Sequence, residues 1–198
     1  MKDNINEKII YIDAGFAHSG IVTESGKILM AGKDSDGALG FGASSLKNSS
    51  HYYFQEIELS SNNVYFKELS CSKGEHHGHT LALTNDGKVY SWGDGYKGKL
   101  GHGDQISRTA PCLIDPKHFN DEEIKHVCSG GIHSTAVSWA GHAYTWGCGS
   151  DGRLGHPEAK GHRYLFREDV PRVVDALKEE GRVIDIKSSY NHVVALIE

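Results

Sequence analysis

His79-Thr80-Leu81-Ala82-Leu83-Thr84, then Asn85-Asp86-Gly87, then Lys88-Val89-Tyr90-Ser91-Trp92-Gly93 and, a few residues on, Gly98-Lys99-Leu100-Gly101: the reading of this stretch decides the fold. Alternating residues flank the Asp-Gly pair. This is the strongest short-range sign of a β-hairpin, because glycine accepts the positive φ that the turn requires. The same order returns twice. Upstream it reads Gly15-Phe16-Ala17-His18, Ser25-Gly26-Lys27, Ala31-Gly32 and Asp36-Gly37-Ala38-Leu39-Gly40. Downstream it reads Gly130-Gly131-Ile132-His133, Ala140-Gly141-His142, Thr145-Trp146-Gly147 and Asp151-Gly152-Arg153-Leu154-Gly155. A fourth copy opens at Tyr190-Asn191-His192. The histidines stand 61, 54 and 59 positions apart. Self-similarity at such a period marks a repeat architecture, in which no unit buries its apolar face alone.

Each copy holds more than one hairpin. A strand precedes each histidine, at Lys8–Asp13, Val64–Cys71, Ile124–Cys128 and Val183–Ile186. Another follows the Leu-Gly loop, as in Pro111-Cys112-Leu113-Ile114 and Pro171-Arg172-Val173-Val174. Proline opening a strand points to an outer edge, where a missing N–H costs nothing. Helix is expected only as a turn at Pro116–Asn120 and a short piece over Asp175–Glu180. The expected fold is all-β, built of four-stranded antiparallel blades of a β-propeller. Blade 1 falls at about 8–60, blade 2 at about 63–115, blade 3 at about 123–175, and the start of blade 4 at about 182–198. Three and a half blades leave the ring incomplete. Each end face should then expose on the order of 400–600 Å² of apolar surface, worth roughly 10–15 kcal/mol of burial. A segment of a longer propeller, a half-ring completed by missing blades, or self-association is expected to cover it.

Composition narrows the function classes. The chain of 198 residues is 38% hydrophobic, enough for a sizeable core, and its net charge is −5. That balance argues against a general phosphate-backbone binder, which needs clustered positive charge. No apolar run reaches the roughly 18–20 residues that span a bilayer, so no membrane partner is expected. The four cysteines at 71, 112, 128 and 148 include no CxxC pair. Cys71 and Cys128 read as the same place in adjacent repeats. Reduced thiols in a cytoplasmic or nuclear protein are expected.

Residues repeated in every unit are assigned to architecture. A catalytic constellation converges once from different residues, whereas a structural device recurs. His18, His79, His133, His192, Gly87, Gly141, Trp92, Trp146, Leu100 and Leu154 belong to the structural set. Each imidazole is expected to bond backbone of the neighbouring turn and hold the entrance to the second strand. No nucleophile–base pair lies outside the repeat, so no catalytic residue and no enzyme activity are expected. Gly98-Lys99-Leu100-Gly101 lacks the Gly-Lys-Ser/Thr ending of a phosphate loop, and no cofactor is expected.

Recognition is expected where copies differ. The loop Ser72-Lys73-Gly74-Glu75-His76-His77-Gly78 is three residues longer than its counterpart after Ser129. An inserted loop on a rigid scaffold suits partner contact, which nominates Lys73, Glu75, His76 and His77. Imidazoles at this density can take zinc, but His-rich loops without paired cysteines seldom do, and no metal is assigned. A second stretch sets basic Lys160, His162, Arg163, Arg167 and Arg172 among Tyr164 and Phe166. Arg163, Tyr164, Phe166 and Arg167 are its candidate contacts, with protein favoured over nucleic acid because Glu158, Glu168 and Asp169 dilute the charge. Trp139 has no counterpart in the other copies and is expected half-exposed.

The composite of Gly-x-x-His, Asp-Gly, Trp-Gly and Gly-x-Leu-Gly resembles the repeat of the regulator of chromosome condensation family over about residues 8–198. Copy one departs with Met30-Ala31-Gly32 in place of Trp-Gly. The resemblance implies a seven-bladed propeller, of which this chain holds part. It also implies a protein-interaction scaffold of the kind found in large multidomain proteins, ubiquitin ligases among them. The alternative it implies is guanine-nucleotide exchange on a Ran-like small GTPase, with chromatin docking. For that activity Phe41–His51 is a wedge candidate of the right length.

Overall fold

The computed structural model describes residues 7–42, 49–59, 63–75, 77–157 and 166–198. Their strands form antiparallel sheets paired in chain order. The first sheet holds β1 (Ile9–Ala14), β2 (His18–Thr23), β3 (Ile28–Lys33) and β4 (Ser50–Glu56). The second holds β5 (Phe66–Cys71), β6 (His79–Thr84), β7 (Val89–Gly93) and β8 (Arg108–Leu113). The third holds β9 (Ile124–Ser129), β10 (His133–Ser138), β11 (Ala143–Cys148) and β12 (Arg167–Val173). Two further strands, β13 (Val183–Ser188) and β14 (Val193–Ile197), begin a fourth. The chain is all-β, as expected. Among the described residues, besides single 3-10 turns such as Pro116–Phe119, its helix is one short piece, α1 (Asp175–Lys178).

First strands lie against one another, β1 beside β5, β5 beside β9 and β9 beside β13. They therefore line the ring axis, and the fourth strands form the rim. The core sits between sheets rather than within one. Val22, Met30 and Leu39 of blade 1 meet Phe66, Leu69 and Trp92 of blade 2. Leu81 and Val89 meet Ile124, Val127 and Trp146 across the next seam. A smaller cluster, with Val137, Ala143, Val183 and Ile186, joins blades 3 and 4.

Hydrogen bonds repeat at each seam. The turn glycines Gly26, Gly87 and Gly141 have φ of +80°, +75° and +89°. Their carbonyls accept from Phe66, Ile124 and Val183 of the following blade, each at 3.0 Å. A Cβ on Gly87 would lie 2.9 Å from Glu123 Cβ, so this turn needs glycine for room as well as for φ. Nearer the axis, Cys71 N donates to Asp13 Oδ2 at 2.7 Å and Ser129 N to Ser70 Oγ at 3.0 Å. Ser188 N makes the same contact with Cys128 Sγ at 3.1 Å. The Leu-Gly loops lean onto the next blade, where Gly42 N donates to Thr109 O at 2.8 Å and Gly103 N to Asp169 O at 2.9 Å.

Two expectations need correction. Cys71 pairs with Thr80 and Cys128 with Thr135, so the two cysteines sit one register step apart and point to opposite faces of their sheets. Pro111 and Pro171 lie inside β8 and β12 rather than at their starts. Both strands are outer edges, with register shifts at Ser91/Gly93 and Thr145/Gly147 that absorb the missing donor. The ring is open. Ile12 is 71% exposed on one end face and Val194 70% exposed on the other.

Candidate functional site

The repeat histidines bridge blades. His18 Nε2 shares a hydrogen bond with Thr80 Oγ1 at 2.9 Å, and His79 Nε2 with Ser134 Oγ at 3.0 Å. Each ring thus holds a side-chain hydroxyl of the following blade, a partner that the sequence reading, which expected backbone of the neighbouring turn, did not name. The hydroxyl in turn donates to the preceding Leu-Gly loop, Thr80 to Ala38 O and Ser134 to Lys99 O, both at 2.8 Å. Trp92 Nε1 reaches the same Ala38 carbonyl at 2.9 Å. Burial lowers the His18 ring to about 4 and pushes His79 well below the ordinary imidazole value. Both are neutral seam residues, unsuited to proton exchange with solvent.

His133 breaks the series. The residue that follows His192, as Thr80 follows His79, is Val193. Without a hydroxyl to meet, the His133 ring lies over its own Gly130, and neither ring nitrogen has a partner among the described residues. Burial lowers this ring to about 3. His192 is exposed.

Connections from first to second strand, and from third to fourth, leave an antiparallel sheet at the same end. The inserted loop and the connection before β12 therefore share one face. Lys73 is tied down there, its Nζ 3.0 Å from Asp13 Oδ1 and 2.8 Å from Ala14 O of blade 1. Glu75 and His77 are exposed, while His76 lies outside the described residues. His77 Nδ1 is 2.9 Å from Asp94 Oδ2, and its ring stacks on Tyr96 with centroids 4.8 Å apart. Asp36, His77 and Asp94 bring three ligand-capable atoms within 4.8 Å of one another. Beneath them the Lys99 ammonium, with no side-chain exposure, sits 2.5 Å from Asp94 Oδ2. Burial lowers Lys99 to about 8 against the pull of Asp94. Lys99 already gives Asp94 the positive charge that a carboxylate pair would otherwise draw from an ion. The second group divides. Phe166 turns inward against Gly149 and His156, Arg167 Nε pairs with Asp169 Oδ1 at 2.9 Å, and Arg163 and Tyr164 lie outside the described residues.

The sequence profile of the Regulator of chromosome condensation (RCC1) repeat matches residues 86–137 and 140–196, more than half of the chain. The chain belongs to the RCC1-repeat family. The E3 ubiquitin-protein ligase HERC2 of Homo sapiens is 36% identical over 75% of this chain, a match covering 3% of HERC2. The ultraviolet-B receptor UVR8 of Arabidopsis thaliana is 29% identical over 96% of this chain and 39% of its own length. Among solved structures, human WBSCR16 superposes over the whole chain and 46% of its own, with a TM-score of 0.80 at 19% identity. Prp20p of Saccharomyces cerevisiae covers 94% of this chain and 43% of its own, with a TM-score of 0.77 at 23% identity. This chain spans less than half the length of these relatives.

Within this RCC1-repeat frame, His18, His79, Trp92 and Trp146 are buried between blades, while Glu75, His77 and Trp139, which have no counterpart in the other copies, reach the surface. Sequence reasoning missed Asp94, Tyr96 and Lys99 as neighbours of His77. A signal was present, because Lys99 stands where the other copies have Ala38 and Arg153, and Asp94 where they have Lys33 and Cys148.

Proposed function

We propose that this RCC1-repeat chain is a protein-interaction scaffold and a segment of a larger multidomain protein, binding its partner through the loop face. The observation that carries this is the division of labour just described. His18, His79, the turn glycines, Trp92 and Trp146 face adjoining blades, whereas the inserted loop presents Glu75 and His77 to solvent over a buried Lys99–Asp94 pair. A loop braced from below is a preorganised contact surface. Arg167, at the far side of the same face, extends it. The relatives named as E3 ubiquitin ligases support a modular role. The proposal includes a cytoplasmic or nuclear location; among the described residues no helix is long and apolar enough to cross a membrane. The test is affinity capture with residues 74–77 replaced by a short turn. Loss of the captured protein at unchanged melting temperature supports the reading, and unchanged capture removes the loop from it.

A second reading is exchange on a Ran-like small GTPase with chromatin docking. It is favoured by the fold shared with Prp20p, whose structure was described with its binding to Gsp1p and histones. The Phe41–His51 wedge would serve it. Residues 43–48 lie outside the described residues, Phe41 packs on the His51 ring at 4.9 Å, and His51 already belongs to β4. Nucleotide-release kinetics on Ran at micromolar protein decide it, since no acceleration rejects exchange for this chain.

A further inference from the structure

Trp139 opens the β10–β11 turn on the face opposite the inserted loop, where the other copies place Glu24 and Asn85. Its side chain is 52% exposed. Two lysines approach it from the axis. Lys67 and Lys125 are the extra residues at irregularities in β5 and β9, where blades 1 and 4 carry Ile10 and Ile184. A bulge re-aims the side chain it carries. Lys67 Nζ lies 5.8 Å from the centre of the indole and Lys125 Nζ 5.5 Å. Arg182 of blade 4 donates from Nη2 to the Trp139 carbonyl at 2.7 Å. Lys125 Nζ also donates to Ile184 O at 3.1 Å. Among the described residues none of the three cations has a carboxylate partner, whereas Lys27, Lys73, Lys99, Arg108 and Arg172 each sit on one. In a chain of net charge −5, three cations with no carboxylate partner among the described residues come from three blades to one exposed tryptophan, two over its indole and one on its carbonyl, and Trp139 has no counterpart in the other copies.

We propose that Trp139, Lys67, Lys125 and Arg182 form a docking site for a short acidic segment of a partner protein. Its carboxylates would pair with the two ammoniums and the guanidinium, and an apolar side chain would lie on the indole. A nucleic acid fits less well. Phosphate-backbone affinity grows with the number of neutralised phosphates, and only three cations are present. A longer polyanion would also run into Asp121, Glu122 and Glu123, whose last carbonyl accepts from Trp139 N at 2.9 Å. The proposal rests on the scaffold reading only for its biological sense, because it concerns the other face and its test makes no use of the inserted loop.

The experiment titrates the full chain with a Glu- and Asp-rich peptide carrying one central Phe, following tryptophan emission. Trp92 and Trp146 are fully buried, so Trp139 should dominate the change. The expected result is a saturable shift that weakens with salt and loses about tenfold in affinity in Lys67→Gln/Lys125→Gln, since two half-exposed pairs contribute roughly 1.4 kcal/mol together. Trp139→Ser should abolish the shift and, by calorimetry, weaken binding at unchanged melting temperature. Absence of binding to the wild-type chain, or binding unaltered in both variants, overturns the proposal. Tighter binding of single-stranded DNA than of the peptide would overturn it in favour of a nucleic-acid surface.

Discussion

The seam between blades 1 and 2 and the seam between blades 3 and 4 share one plan but are completed differently. At the first, His18 meets Thr80, the Leu39 loop docks on Trp92, and a Cβ on Gly37 would strike Thr109 of the next outer strand. At the last, His133 faces a copy with Val193 in place of the hydroxyl, and a Cβ on Gly152 would meet none of the described residues within 4 Å. The glycine and leucine of the loop are therefore not local turn formers alone. They are shaped for the outer strands of the following blade. Blade 4 contributes only β13 and β14 to this chain. A repeat residue is fully used only when its successor supplies the matching surface, which is why stability in such arrays depends on nearest-neighbour interfaces.

The largest effect should come from Trp92→Ala, which empties a fully buried site between blades 1 and 2. Loss of about 3–5 kcal/mol is expected, lowering Tm by roughly 10 °C. Trp139→Ser should leave Tm within about a degree. Similar shifts for the two would break the distinction between matched and unmatched tryptophans.

Acid should act through the seams next. His18 and His133 have folded-state values of about 4 and about 3 against an ordinary 6.5, because burial disfavours the charged ring. Below pH 6.5 the unfolded chain takes up protons that the folded chain refuses, so stability present at neutral pH falls as pH drops toward 4. By pH 5 each ring should cost about 2 kcal/mol. Chemical denaturation at pH 7 and pH 5 reads this, and His133→Leu should remove one ring's share of the acid loss.

Leucine at the two histidines sharpens the comparison. His79→Leu strands the Ser134 hydroxyl from its imidazole and should lower stability by about 1–2 kcal/mol at pH 7. His133→Leu removes two unpartnered ring nitrogens and should be neutral or stabilising. Val193→Thr, which gives His133 the hydroxyl that the earlier copies enjoy, should raise stability by about 0.5–1 kcal/mol. Equal losses for both leucine variants would contradict the seam assignment.

The blade plan was legible because turns ending in glycine (Gly26, Gly87, Gly141), alternating strands and Leu-Gly loops are short-range signals, written three times over. What each histidine bonds was not. Its partner lies in the next copy, one residue after the next histidine, and only stacking of the sheets brings them together. The same reason hid the offset between Cys71 and Cys128, since in register the loop after β5 is four residues longer than that after β9, not three as the Ser72 and Ser129 motifs suggest. At the loop face, sequence difference pointed to Glu75 and His77, but Lys73 proved tied to Asp13 in the preceding blade. Asp94 and Lys99 escaped notice because they lie inside a loop otherwise read as architecture. Copies must be aligned by register, not by motif, for such departures to be visible.

Native-state hydrogen exchange tests most directly whether the seams carry the fold. The amides of Phe66, Ile124 and Val183 make the same bond to the preceding turn glycine. The seam account predicts that Phe66 and Ile124 exchange only on global unfolding, while Val183, beside the incomplete seam, exchanges faster by local opening. Equal protection at all three sites would contradict it.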